Sequence, residues 1–297
     1  MIKIERSEVF PSAHEDAKAA ELCPVSPQTL SDAYRLAYTD YDFMMRDELR
    51  PVRLQLELMK PELILNSHKI QGTVVIFGSA RIPEPAEALR QFKAAEEGVR
   101  KNPENASYIR ELEKARKALE RSRYYEEARK LARLVSEANK ASSVFNLVVV
   151  TGGGPGIMEA ANRGASEADC ISVALNIVLP HEQRPNPYIT PELCFQFHYF
   201  AIRKMHFLMR AKALVVFPGG YGTLDELFET LTLIQTGKIK PFPVLIFGKA
   251  FWERIINFNV LVEEGTISEE DIKIFRYVET AEEAFEIVSK TSEIRSS

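Results

Sequence analysis

Twice in this chain a short apolar run ends in a cluster of glycines and passes directly into a stretch of helical composition. At 147–165, Leu-Val-Val-Val gives way to Thr151-Gly-Gly-Gly-Pro-Gly156 and then Ile157-Met158-Glu159-Ala160. At 213–227, Ala-Leu-Val-Val-Phe gives way to Pro218-Gly-Gly-Tyr-Gly-Thr223 and then Leu224-Asp225-Glu226-Leu227. A weaker version, Gly78-Ser79-Ala80-Arg81, follows the run at 74–77. A strand that turns on glycine into a helix is the repeating unit of a parallel sheet, whose strands are covered on both faces and so read as continuous apolar runs. Strands are expected at 74–77, 147–150, 171–177, 214–217 and 244–247. The expected fold is therefore α/β, a doubly wound parallel sheet (Rossmann-like), with right-handed crossovers placing any ligand along one sheet edge.

Two regions lie outside that pattern. Residues 1–70 read as an N-terminal helical extension. Ser31 is placed to cap a helix carrying Ala33, Leu36, Ala37, Tyr41 and Met44 on one face, and Pro51 and Pro61 punctuate the chain beyond it. The extension is expected to form a layer on the sheet or an oligomer face. The stretch 84–140 carries 14 Lys/Arg and 11 Glu, too long for a single crossover helix. Asn102-Pro103-Glu104-Asn105 is a natural turn, so 85–123 reads as an inserted charged helical pair, with 124–140 returning as the sheet-covering helix. Residues 71–297 would then form one Rossmann-like domain.

Composition narrows the partners. The formal charge is −4, giving no general attraction to nucleic acid or an anionic membrane, and the interleaved charges of 84–140 suit a solvated helix surface. No apolar run is long enough for a membrane span, and Met1-Ile-Lys-Ile-Glu-Arg-Ser has no apolar stretch after it, so no secretory signal is expected. Cys23, Cys170 and Cys194 are odd in number and widely spaced, which suits free thiols in a reducing cytoplasm. His14, His68, His181, His198 and His206 contain no metal-binding spacing, so neither metal nor cofactor is expected.

The glycine turns suit a phosphate. Glycine lets the backbone approach a ligand and accepts positive φ, and a helix start offers unpaired N–H groups and the positive end of its dipole. A dinucleotide fits poorly: counted from Gly152 or Gly154, the third glycine of Gly-x-Gly-x-x-Gly is Ile157 or Glu159, and Asp169 precedes a strand instead of ending one. No P-loop pattern is present. A mononucleotide or sugar phosphate remains, against the plainer alternative of tight turns with close helix packing. Glu226 would lie near a phosphate held by Gly219, Gly220 and Gly222, although Thr223-x-x-Glu226 also reads as a capping box. Glu229 is expected to face solvent. Leu179-Pro-His-Glu-Gln-Arg-Pro-Asn-Pro-Tyr188 is a rigid loop, and the helix after it carries Arg203, Lys204 and Arg210, with Arg203 and Arg210 on one face.

Pro218-Gly-Gly-Tyr-Gly-Thr-Leu-Asp-Glu226 resembles the Pro-Gly-Gly-x-Gly-Thr-x-x-Glu motif of the Lonely Guy (LOG) family, phosphoribohydrolases of nucleoside 5′-monophosphates, including cytokinin riboside 5′-monophosphates. Arg203-Lys204 stands fifteen residues ahead of Pro218, as the family's Arg-Lys pair does. The 179–188 loop, Phe200-Ala-Ile-Arg-Lys204 and Leu233-Ile-Gln-Thr-Gly-Lys238 look like the longer type II members. The resemblance covers 72–83 and 124–290; the 1–70 and 85–123 additions lie outside the minimal pattern. Some relatives carry a lysine decarboxylase label, but no pyridoxal-phosphate site with its Schiff-base lysine and acidic partner is recognisable here.

The resemblance implies hydrolysis of the N-glycosidic bond of a purine nucleoside 5′-monophosphate (AMP or a cytokinin ribotide), with no cofactor and in a homodimer or larger homo-oligomer. It makes Arg203 and Glu226 the catalytic pair. Gly219, Gly220, Gly222 and Thr223 would seat the phosphate. Gly153, Gly154 and Met158 would line sugar or base, with Ser79, Arg81 and Lys204 nearby. A protein that binds a nucleotide without turning it over, and a scaffold that binds none, are the alternatives that the residues leave open.

Overall fold

The computed structural model describes residues 10–141, 145–180 and 184–293. Residues 1–57 and 58–297 form two compact units, the division falling within one helix.

The first unit is helical but broken. Ser12 and Glu15 cap α1 (Ala13–Glu21) reciprocally. Ser31 caps only a 3₁₀ turn at Asp32–Tyr34, after which Arg35 is extended (ψ 141) and Asp40 starts a separate short helix, α2 (Tyr41–Met44). The single amphipathic helix expected from Ser31 does not form, because a second capping residue nine positions on restarts the chain. Pro51 and Pro61 do not punctuate either: both lie inside α3 (Arg50–Ser67). Pro51 sits in the first turn, whose N–H groups have no helical acceptor, and Pro61 is buried in the interior.

In the second unit the apolar runs become strands: β1 (Thr73–Phe77), β2 (Val148–Thr151), β3 (Ser172–Ile177), β4 (Cys194–Phe197), β5 (Ala211–Val216), β6 (Val244–Phe247) and β7 (Phe275–Val278). Among the described residues these seven make one sheet in the order β4-β3-β2-β1-β5-β6-β7, every pairing parallel. The strands not expected, β4 and β7, are the two edges. Gln196 and Arg276 interrupt their apolar character, as half-covered edge strands allow.

The charged segment folds as α4 (Pro85–Lys101) and α5 (Ala106–Arg121), separated at 102–105, followed by α6 (Arg123–Ala141). Then come α7 (Ile157–Glu167), α8 (Phe200–Met209), α9 (Tyr221–Gln235), the short α10 (Lys249–Trp252) and α11 (Phe258–Glu263), and α12 (Ala281–Glu293). Alternate residues of β1 serve opposite layers. Val74 and Ile76 face α6, α7 and α12, while Val75 and Phe77 pack with Phe207, Leu227 and Trp252. On the first face α6 and α7 meet so closely that a Cβ on Gly164 would collide with the Arg129 carbonyl. Among the described residues no helix is long and apolar enough to cross a membrane, and no group of three acidic, His or Cys side chains could hold a metal ion.

Candidate active site

The strand order fixes where a site can form. The chain leaves the centre through β2, β3 and β4, then returns beside β1 as β5 and continues outward on the other side. Between β1 and β5 the helices that follow the strands diverge to opposite faces and leave a crevice at the strand C-termini. Three loops meet there. The Phe217 N–H donates to the Phe77 carbonyl at 2.8 Å, the Ser79 N–H to the Pro218 carbonyl at 3.0 Å, and the Ile157 N–H to the Ser79 carbonyl at 3.2 Å. Gly78 and Gly156 permit this closeness. A Cβ on Gly78 would enter the Ile157 side chain, and Gly156 has φ 72° with its α-hydrogen against the Ser79 carbonyl.

The β5 loop delivers α9. Its N-cap is Gly220 and its first residue Tyr221, so Thr223 lies within the first turn and the expected Thr223–Glu226 capping box is not formed. The turn starts early because Gly220 and Gly222 present no side chain; the space where a Cβ would stand is open to 4 Å at both. The first-turn N–H groups of α9 thus border an uncluttered mouth. The buried Thr223 side chain fills the space beside Gly219.

Glu226 follows in the next turn and is 6 % exposed. Burial raises its carboxyl to about 7, against the opposing pull of the Lys204 and Arg203 charges. Both cations come from α8. The half-buried Arg203 guanidinium donates from Nε to the Leu175 carbonyl at 2.7 Å and lies 5.0 Å over the Phe207 ring. Burial lowers its pKa and the Glu226 charge partly restores it. Arg203 Nη2 lies 2.8 Å from where a Gly152 Cβ would be, so the guanidinium borders the β2 loop while its charge is felt by Glu226.

Lys204 takes another role. Its Nζ is 2.9 Å from Asp225, 2.8 Å from Glu229 and 3.5 Å from Glu226. Burial works to lower the ammonium, but the hydrogen bonds it donates to Glu229 and Asp225 and the Glu226 charge outweigh it, and the net direction is upward. Lys204 therefore ties α8 to the acidic side of α9. Glu229, expected in solvent, is turned into this cluster.

The β2 loop is held from behind. The Gly153 N–H donates to Thr151 Oγ1 at 3.0 Å, and Thr151 Oγ1 donates to Asn162 Oδ1 at 2.7 Å. Asn162 Nδ2 donates to Ser172 Oγ at 3.0 Å. Gly153 needs its glycine: φ is 76° and a Cβ would strike Asn176 Oδ1. Met158 lies over the loop, its Sδ 3.0 Å from a Gly152 Cβ position and its Cε 2.9 Å from that of Gly154.

Of the other expected residues, Ser79 Oγ accepts from the Arg81 N–H at 3.0 Å, and the Arg81 side chain is exposed. Arg210 parts from Arg203: it caps α8, donates to the Ile70 carbonyl at 3.0 Å and pairs with Glu62. His181, Glu182 and Gln183 of the 179–188 loop lie outside the described residues. Thr151, Asn162 and Asn186 were not singled out by sequence reasoning. The signals were a lone asparagine among small residues in α7 and another between two prolines.

A family model described as "Possible lysine decarboxylase" matches residues 158–288. The chain is 37 % identical over 82 residues to the cytokinin riboside 5′-monophosphate phosphoribohydrolase LOG of Oryza sativa subsp. japonica, a stretch covering 27 % of this chain and 34 % of that protein. It is 37 % identical over 83 residues to LOG4 of Arabidopsis thaliana, a cytokinin riboside 5′-monophosphate phosphoribohydrolase, covering 27 % and 38 %. The matches thus span somewhat over a third of each of these curated relatives. Among solved structures, the structural-genomics target TM1055 overlays with a TM-score of 0.42 at 19 % identity, covering 74 % of this chain and 99 % of that one. The nonapeptide 218–226 and the matched relatives agree: over this part of its length the chain is similar to the Lonely Guy phosphoribohydrolases.

Proposed function

We propose that the protein hydrolyses the N-glycosidic bond of a purine nucleoside 5′-monophosphate, AMP or a cytokinin ribotide, to free base and ribose 5-phosphate. The observation that carries this reading is a buried Glu226 carboxyl set beside Arg203, one turn beyond an open helix start suited to an anion. The phosphate sits on the N–H groups of Gly220, Tyr221, Gly222 and Thr223, with the sugar toward Glu226. The bond from C1′ to the base nitrogen breaks with its electron pair leaving on the base, and the sugar passes through an oxocarbenium-like state. Ionised Glu226 stabilises that cation and accepts a proton from the water whose oxygen adds to C1′; that proton passes on to the departed base, so one water is consumed and Glu226 is restored. Arg203 stays charged at neutral pH and orients Glu226, while Gly153, Gly154 and Met158 line the base side. The free thiols Cys23, Cys170 and Cys194 suit a cytoplasmic setting. A homo-oligomer would cover Phe200, Met205 and Met209, each about half exposed on α8.

Incubation of the full chain with AMP and with isopentenyladenosine monophosphate, followed by chromatography, is expected to yield free base and ribose 5-phosphate in equal amounts. Nucleotide binding with no base released over hours would select a binding protein instead. Because the working form of Glu226 is the ionised one and its pKa lies at about 7, kcat is expected to rise about tenfold per pH unit below that point and level above it. The limb is read in kcat, since the free substrate's phosphate titrates near ~6. A kcat independent of pH between 5.5 and 8.5 would remove Glu226 from the role of base.

A further inference from the structure

Asn186 is buried and reaches across to the β2 loop. Its backbone N–H donates to the Gly153 carbonyl at 3.0 Å. Its Nδ2 lies 3.2 Å from the Gly153 carbonyl, 3.2 Å from the Gly154 carbonyl and 3.0 Å from Asn162 Oδ1, while its Oδ1 accepts from the Tyr188 N–H at 3.2 Å. Both polar atoms of the side chain are thus used. Gly153 is gripped at both ends, its N–H by Thr151 and its carbonyl by Asn186, with Asn162 joining the two holds.

We propose that Asn186 is a positioning residue for nucleotide binding, keeping the Gly153 and Gly154 carbonyls turned away from the ligand so that the glycine loop presents its N–H side to the sugar and base. The proposal rests on the nucleotide reading given above. In a trans peptide the C=O and the next N–H point in opposite directions, so drawing the Gly153 carbonyl toward Asn186 turns the Gly154 N–H to the other side. Glycines released from this hold have free access to other φ,ψ regions, including those that present carbonyl oxygens to the ligand. Pro185 and Pro187 flank the residue and restrict its backbone before the amide is placed, which lowers the entropy lost in holding the loop. Asn186 makes no contact with Arg203 or Glu226, so its influence is on affinity and not on the bond-breaking step.

Asn186→Asp keeps the size, the backbone donor and the acceptor for Tyr188, but sets an anionic oxygen against three oxygens that now receive N–H donors. Asn186→Ala removes the donors without adding charge and serves if the aspartate variant fails to fold. Two measurements on the full chain are made: hydrogen exchange of peptides covering 150–160, and AMP affinity by calorimetry together with KM and kcat. Exchange is expected to speed up in those peptides, AMP to bind about 10–100-fold more weakly with KM rising in step, and kcat at saturation to stay within about threefold. Unchanged exchange, unchanged affinity, or a loss confined to kcat would each overturn the proposal. Failure of the wild-type chain to bind AMP would instead overturn the nucleotide reading, and the positioning role with it.

Discussion

Glu226→Gln is expected to lower turnover by about 10²–10⁴-fold while leaving AMP binding within a few-fold of wild type. The amide keeps the shape of the carboxyl but can neither accept a proton from water nor carry charge opposite the sugar cation. The same change is expected to stabilise the fold in a pH-dependent way. The folded-state pKa of about 7 lies above the ordinary value of 4.5, so between those limits the folded chain holds a proton that the unfolded chain has released. Stability is lost as pH rises through that window, and above 7 the ionised, buried carboxylate costs about 3 kcal/mol. Glutamine, always neutral, avoids that cost. Urea unfolding of both proteins at pH 5 and pH 8 measures it: the variant's advantage should be small at pH 5 and full at pH 8. An advantage equal at both pH values would mean that the carboxyl titrates normally.

Arg203→Met is expected to reduce kcat by about 10²–10³-fold and to move the acid limb of the kcat profile to higher pH. The methionine fills part of the volume over Phe207, but it removes the Nε–H bond to the Leu175 carbonyl and one of the two positive charges that hold the Glu226 carboxyl down. With Lys204 alone opposing burial, Glu226 rises further above 7, so less of it is ionised at neutral pH. Part of the lost rate should therefore return on going from pH 7 to pH 9. A profile with its midpoint unmoved would show that the guanidinium does not act on Glu226. A variant with wild-type kcat would remove Arg203 from the mechanism.

The central strands and the glycine junctions were legible because each is written locally: a short apolar run covered on both faces, then glycines. The edge strands β4 and β7 were not, because Gln196 and Arg276 face outward and break the run that marks a covered strand. The N-terminal helices were misread for the opposite reason: apolar spacing at 33–44 fits one helix, but Asp40 competes with Ser31 as a start and wins its own segment. The Thr223–Glu226 spacing fits a capping box, and the helix passes it by because two side-chain-free glycines let the turn begin at Tyr221. The resemblance placed Lys204 near the substrate; what the sequence did not show is that α9 brings Asp225 and Glu229, an i,i+4 pair, around its ammonium. Asn162 and Asn186 are 24 residues apart, and only the folded sheet brings them together.

The tether between Lys204 and α9 divides the crevice into halves of unequal freedom. Arg203, Lys204 and Glu226 belong to two helices locked by shared charge, whereas Met158, on α7, belongs to neither. A lineage could therefore exchange one nucleobase for another by remodelling the second half alone. The bond-cleaving apparatus would be inherited intact.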